Sequence, residues 1–221
     1  MKRVVPWFGP VLWWILGASA ALGAGPDVNR IVAGIQETYA RVQDLQADFV
    51  QEVWLPAAGT RQESRGVVYL RKPDRMRWET REPSRQVYVV SGRVAWHYDV
   101  QARQATRQRL PDDPRGTPAS FLRDMSRLTE DFQVAFASAS SPTGPEGRYL
   151  LRLTPRRPMG SLEKVVLEVE PRSFRVVRFT LHDATGNVTT VRFSRIRFNP
   201  GLPDRLFRFV PPQGVEVLEL P

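Results

Sequence analysis

"KPDRMRWETREP", residues 72–83, sets one large indole, Trp78, among two prolines, a lysine and six further charged side chains. At a period of two, Met76 and Trp78 fall on one face of a strand and Arg75, Arg77 and Glu79 on the other. Pro73 and Pro83 stand at its ends, where a missing backbone donor is tolerated. The segment is therefore expected to be a strand with an apolar face and a charged face, the charged one turned to water.

The same alternation spreads outward from it. "LQADFVQEVW" (45–54) alternates Leu45, Ala47 and Phe49 with Gln46 and Asp48. "RGVVYLRK" (65–72) sets Val68 and Leu70 on one face, Val67 and Tyr69 on the other. "QVYVV", "SGR" and "VAWHYD" (86–99) read as a hairpin turning at Gly92. Further strands are expected at "FQVAF", "RYLLRLT", "KVVLEVE", "RVVRFTLHD", "VTTVRFSRIRF" and "LFRFV", the last ending at Val210. "DATGN" (183–187) and "NPG" (199–201) are turn signals, and "SASSPTGPEG" (138–147) reads as a flexible loop.

Two stretches switch to the helical period. After the N-cap candidate Asp27, the residues Val28, Ile31, Val32, Ile35, Tyr39 and Val42 form one stripe, which predicts an amphipathic helix over 27–43. Over 117–128, Thr117 caps, Pro118 takes the first helical position, and Phe121, Leu122, Met125 and Leu128 share a stripe. The fold class that follows is mainly β (α+β). A single curved sheet is expected, antiparallel because short turns join its strands, with the helices' apolar stripes laid into its concave face.

Residues 1–24 stand apart. Lys2 and Arg3 precede a stretch without charge from Val4 to Pro26, and small residues follow the apolar "VLWWILG". This pattern is that of a secretory leader cleaved near residues 20–24, and it leaves 25–221 as a single domain. Its loss lowers the formal charge from +9 to +7, a balance that favours anionic partners. The chain has no cysteine, so disulfides, thiolate metal sites and thiol nucleophiles are excluded.

Little else points to chemistry. His97 and His182 fall in different expected strands, without metal-ligand spacing. Glu79 and Glu82 could pair as carboxylates but fit a solvated face better. There is no nucleophile elbow and no glycine-rich phosphate loop. Arginines alternate with apolar residues strand after strand, which marks the outer face of a half-buried sheet rather than a nucleic-acid site. What remains is an apolar interior with bulky, adaptable Met76, Trp78, Tyr88, Trp96 and Tyr98. A plain core and a ligand cavity both accommodate these residues.

The order of motifs carries more information than any single one. Phe49-x-Gln51 follows the first helix. Gly66, "RKP" (71–73), "RW" (77–78), "SG" with "AWHYD" (91–99), "TPASFL" (117–122), "HDATGN" (182–187) and "LFRFVPPQGVEV" (206–217) come after it. This ordered set resembles the LolA family of periplasmic outer-membrane lipoprotein carriers over residues 45–217. The resemblance implies an incomplete antiparallel β-barrel under a lid of amphipathic helices, and a cavity for lipoprotein acyl chains. It implies cavity residues Phe49, Val68, Leu70, Met76, Trp78, Tyr88, Val90, Trp96 and Tyr98. It also implies lid residues Phe121, Leu122 and Met125. The family carries a basic residue before the proline of "RKP", which latches the lid. Here that residue is Lys72, which lacks arginine's planar fork. The partners implied are acylated lipoproteins, an inner-membrane ABC transporter and an outer-membrane receptor. The protein would be a periplasmic monomer with no cofactor, no metal, no nucleic acid and no catalysis. A lipid-sensing regulatory domain of the same fold, like that of RseB, stays open, as does a carrier of another envelope lipid. An envelope hydrolase would need a convergent set of titratable residues that the sequence does not offer.

Overall fold

The structure, a computed structural model, describes residues 26–110 and 125–220. The expected leader, most of the expected helix over 117–128, and with it Phe121 and Leu122, lie outside the described residues. α1 spans Val28–Ala40, and the Asp27 side chain caps it by accepting from the Asn29 N–H at 2.9 Å. Ile31, Val32, Ile35 and Tyr39 form its buried stripe, as the spacing predicts. The helix stops at Ala40, and Val42 is buried beyond its end.

Among the described residues, twelve strands form one curved, open sheet. They are β1 (Asp44–Leu55), β2 (Thr60–Arg71), β3 (Arg75–Glu82), β4 (Gln86–Ser91), β5 (Val94–Asp99) and β6 (Gln104–Arg109). After a 3₁₀ turn, Met125–Arg127, and a helical turn, Leu128–Asp131, come β7 (Phe132–Phe136), β8 (Tyr149–Pro155) and β9 (Leu162–Val169). β10 (Val176–Asp183), β11 (Val188–Phe198) and β12 (Glu216–Leu220) complete the sheet. The spatial order is β12-β6-β5-β4-β3-β2-β1-β11-β10-β9-β8-β7. All neighbours are antiparallel except β12, which runs parallel to β6.

The spine is the pairing of β1 with β2 from Asp44↔Arg71 to Leu55↔Thr60 without a slip. That register puts Leu45, Ala47 and Phe49 beside Leu70, Val68 and Gly66. Gly66 allows a close approach. A Cβ there would stand 1.8 Å from the Glu79 carbonyl oxygen and 2.9 Å from the Phe49 ring. The β2–β3 register shifts at the same point, between Arg65 and Gly66.

Three expectations need correction. "LFRFV" is not a strand: Asp204–Phe207 is a 3₁₀ turn, and the chain then crosses the convex face of the sheet. Its carbonyls are taken by side chains instead of a ladder. Arg71 Nη1 donates to Leu202 O at 3.0 Å, and Arg77 Nη1 to Leu206 O at 3.2 Å. Secondly, β6 and β12 escape the periodicity because both are rich in polar or exposed residues. Thirdly, the charged face of β3 is only partly turned to water: Arg81 is exposed, but Arg75, Arg77 and Glu79 are half-buried. Arg75 and Arg71 pair with Asp204, and Arg77 is also bonded to Glu79 at 2.5 Å. The strap over 200–215 covers this face and buries Phe207 to 1% exposure.

Two outcomes test this construction. Gly66→Ala should destabilise the fold by about 1–3 kcal/mol, seen as a lower urea midpoint by circular dichroism; an unchanged midpoint would mean that the close approach relaxes freely. The hydrogen bond from Arg75, with the charge of Arg71, holds the Asp204 carboxyl below its ordinary value of 3.8. The clamp is therefore complete above that value and is lost as pH falls through the depressed folded-state value. Hydrogen exchange of the strap amides at 202–208 should accelerate in that acidic window, and Asp204→Asn should abolish the pH dependence.

Candidate functional site: an apolar trough under a tethered helix

The concave face is built in rows. One runs Leu45, Leu70, Met76, Val90 and Ala95 across β1–β5, and the next Ala47, Val68, Trp78 and Tyr88. Phe49 lies beside them, its ring centroid 4.3 Å from that of Trp78. Phe49, Val68, Leu70, Met76 and Val90 are buried, whereas Trp78 and Tyr88 are half-buried against the same cluster. The far half of the trough comes from β7–β11, through Leu151, Leu153, Val165, Leu167, Phe179 and Val191. α1 lays its stripe into this face, and Met125 and Leu128 join the same cluster at 0% and 2% exposure. At roughly 25 cal/mol per Å² of apolar surface, this cover is the main term that holds helix to sheet.

Trp96 and Tyr98 do not belong to the trough. β5 pairs Ala95 with Val90 and His97 with Tyr88, so Trp96 and Tyr98 point to the opposite face. There they meet Phe209 of the strap, with centroids 5.2 and 5.5 Å apart. Aromatic residues at alternate positions suited either face, and the sequence could not show which face the strap would cover.

The C-terminal end of α1 is tethered by polar groups. Lys72 Nζ donates to Tyr39 O at 2.6 Å and reaches Ala40 O at 3.5 Å. Burial lowers the Lys72 ammonium below the usual lysine value. The contact is nonetheless favourable, because the last carbonyls of a helix carry its negative pole, and Tyr39 O, which accepts from the Val42 N–H at 3.3 Å, keeps a second lone pair for the ammonium. Three further tethers were not anticipated. The Tyr39 hydroxyl accepts from the Val176 N–H at 3.1 Å, and its ring meets Phe198 edge-on at 5.5 Å. Burial pushes the Tyr39 pKa up to about 12. Asn199, with φ 53°, accepts from the Gln43 N–H at 2.7 Å and donates to Arg41 O at 3.2 Å. Asp44, 7% exposed, accepts from the N–H groups of Gly201 and Leu202 at 3.2 and 2.8 Å. An asparagine ahead of Pro-Gly was a possible signal for this role, but it reads equally as a turn.

Catalytic geometry does not emerge from these residues. His182 lies on the outer face beside Lys164, where burial and then that lysine lower its pKa. His97 lies on the concave side, opposite Tyr88. Among the described residues no three His, Asp or Glu side chains are grouped to hold a metal ion, and no helix is long and apolar enough to cross a membrane. The site offers a shaped apolar surface covered by α1 and the Met125–Asp131 turns.

One family matches most of the chain. The family described as outer membrane lipoprotein carrier protein LolA matches residues 40–210. An outer-membrane lipoprotein carrier protein of Methylococcus capsulatus is 34% identical over 175 residues, 79% of this chain and 81% of its own. One of Coxiella burnetii is 29% identical over 221 residues, 99% of this chain and 98% of its own. Among solved structures, an uncharacterized conserved protein from Thermus thermophilus shares the fold with a TM-score of 0.54 at 15% identity, covering 87% of this chain and 98% of that one.

Lys72→Met should cost about 1–2 kcal/mol of stability and raise the uptake of the apolar dye N-phenylnaphthylamine, as the helix end lifts more readily. Lys72→Arg should leave both near wild type. Urea unfolding and dye fluorescence measure the pair; a Lys72→Met protein indistinguishable from wild type would show that the tether carries no weight.

Proposed function

Because the chain belongs to the outer membrane lipoprotein carrier protein LolA family, we propose that it is a periplasmic carrier that shelters lipoprotein acyl chains in this trough and delivers them to the outer membrane. The observation that carries the reading is the continuous apolar concave face, closed by α1 and the Met125–Asp131 turns. Phe49, Val68, Leu70, Met76, Trp78, Tyr88 and Val90 would meet the chains. α1 would be part of the lid, and Lys72 its latch. The leader expected over residues 1–24 would bring the chain to the periplasm. No cofactor and no catalytic step are needed.

The energetics suit transport. Each buried CH₂ is worth about 0.8 kcal/mol, so an acyl chain cannot cross water unescorted. In the closed state the trough is filled by the protein's own side chains. A ligand must displace them, and the net affinity is the difference between the two burials. An inner-membrane ABC transporter would supply the work of loading. An outer-membrane receptor of similar fold would need only a trough with a weaker cover. The surplus of basic side chains, +9 over the whole chain, suits encounters with acidic partner surfaces.

Native mass spectrometry of the mature protein with a purified triacylated lipoprotein should show a one-to-one complex, and none with the deacylated form. A folded Trp78→Glu variant should lose the complex. Equal binding of both forms, or no complex at all, would overturn the carrier reading.

A further inference from the structure

The concave face changes character at one edge. From β1 across to β4 the two rows described above are apolar, but on β5 and β6 they turn polar. The row Ala47–Val68–Trp78–Tyr88 continues into His97 and Thr106, and the row through Val90 and Ala95 ends at Gln108. β12 closes these rows with Leu218 beside Thr106 and Leu220 beside Gln108, both partly exposed at 39% and 49%. His97 and Gln108 are exposed and Thr106 is half-buried. None of the three makes a side-chain hydrogen bond among the described residues. The next row of polar groups differs. There Gln86 bonds to Asp99 at 3.2 Å and Gln104 to Glu216 at 3.1 Å, so its capacity is used.

Resting on the carrier reading above, we infer that His97, Thr106 and Gln108 form a polar lip that holds the head of an acylated cargo, with the chains running from it past Tyr88 and Trp78 into the trough. The chemistry matches on both sides. Ester and amide carbonyls, which join acyl chains to a glyceryl-cysteine head, are acceptors that lose part of their water where the head meets the edge of the trough. The imidazole N–H, the threonine hydroxyl and the glutamine amide are donors. Leu218 and Leu220 would flank the glyceryl carbons. The lip also fixes direction. A head placed at the opposite side of the trough, over Leu151 or Leu167, would leave its carbonyls unpaired in an apolar wall, which costs more than the lip contacts gain. The occupant is thus a cargo with a polar head, and a bare hydrocarbon gains nothing from these residues.

The test compares a triacylated cysteinyl lipopeptide with N-phenylnaphthylamine, which has no such head. The triple variant His97→Phe, Thr106→Val, Gln108→Leu should bind the lipopeptide about tenfold more weakly, as the loss of two or three hydrogen bonds predicts. It should bind the dye at least as well as wild type. Lipopeptide binding at wild-type strength would overturn the lip and leave the carrier reading standing. A wild-type protein that fails to bind the lipopeptide would overturn both. The unaltered protein gives a second measurement should the variant not fold. Its two histidines, His97 and His182, lie on opposite faces of the sheet. In ¹⁵N spectra the lipopeptide should shift the His97 ring signals and leave those of His182 in place, and the dye should move neither. An unmoved His97 in the lipopeptide complex would overturn the inference.

Discussion

Residues 41–43, between the helix and the first strand, and Asp44 at the start of that strand carry groups that the helix and sheet ladders leave to partners far along the chain. Val42 and Asp44 are buried between the exposed Arg41 and Gln43, and the hydrogen bonds made here fix the direction of everything attached to this junction. Asn199 accepts from the Gln43 N–H and donates a hydrogen bond to Arg41 O, while Lys72 N–H donates to Gln43 O. The Asp44 carboxylate takes the N–H groups of Gly201 and Leu202. Together these bonds aim α1 into the concavity and start the C-terminal strap across the convex side. Both faces of the sheet are covered from one corner.

The two covers are held by different physics. On the concave side the contact is apolar, with a few polar tethers at one end of the helix. Such a contact is non-directional, and another hydrocarbon surface would satisfy the same face. On the convex side the strap is held by hydrogen bonds from Arg71 and Arg77 to its carbonyls and by the ion pairs of Asp204. These bonds are directional, and exchange for another partner requires matching geometry. Trp96, Tyr98 and Phe209 add an aromatic seam. A directionally bonded back and a non-directional apolar front suit the proposed sheltering of acyl chains.

That arrangement also accounts for the arginine content. A sheet with a solvated outer face needs polar residues there, and lysine or glutamate would serve. A sheet whose outer face must hold an irregular strap needs donors that reach several carbonyls in fixed directions, which the guanidinium provides. Lys72 stands on the other face, where a compact ammonium suffices to reach the end of a helix.

The sequence by itself determined the alternation of β1 to β5, the stripe of α1, and the family to which the ordered motifs belong. These are local properties, written in periods of two and 3.6 residues or in short motifs. It also determined that Phe49, Met76 and Trp78 share a face, because parity along a strand leaves no choice. Only the tertiary structure decided that Trp96 and Tyr98 lie on the far side, because parity within β5 needs the register with β4 to become a direction in space. It alone decided that "LFRFV" is a strap, since an extended segment with alternating aromatics looks the same whether its carbonyls meet a strand or arginine side chains. The parallel strand β12 and the roles of Tyr39, Asn199 and Asp44 were hidden for the same reason: each depends on a partner more than 100 residues away in the chain, and no local pattern encodes such a distance.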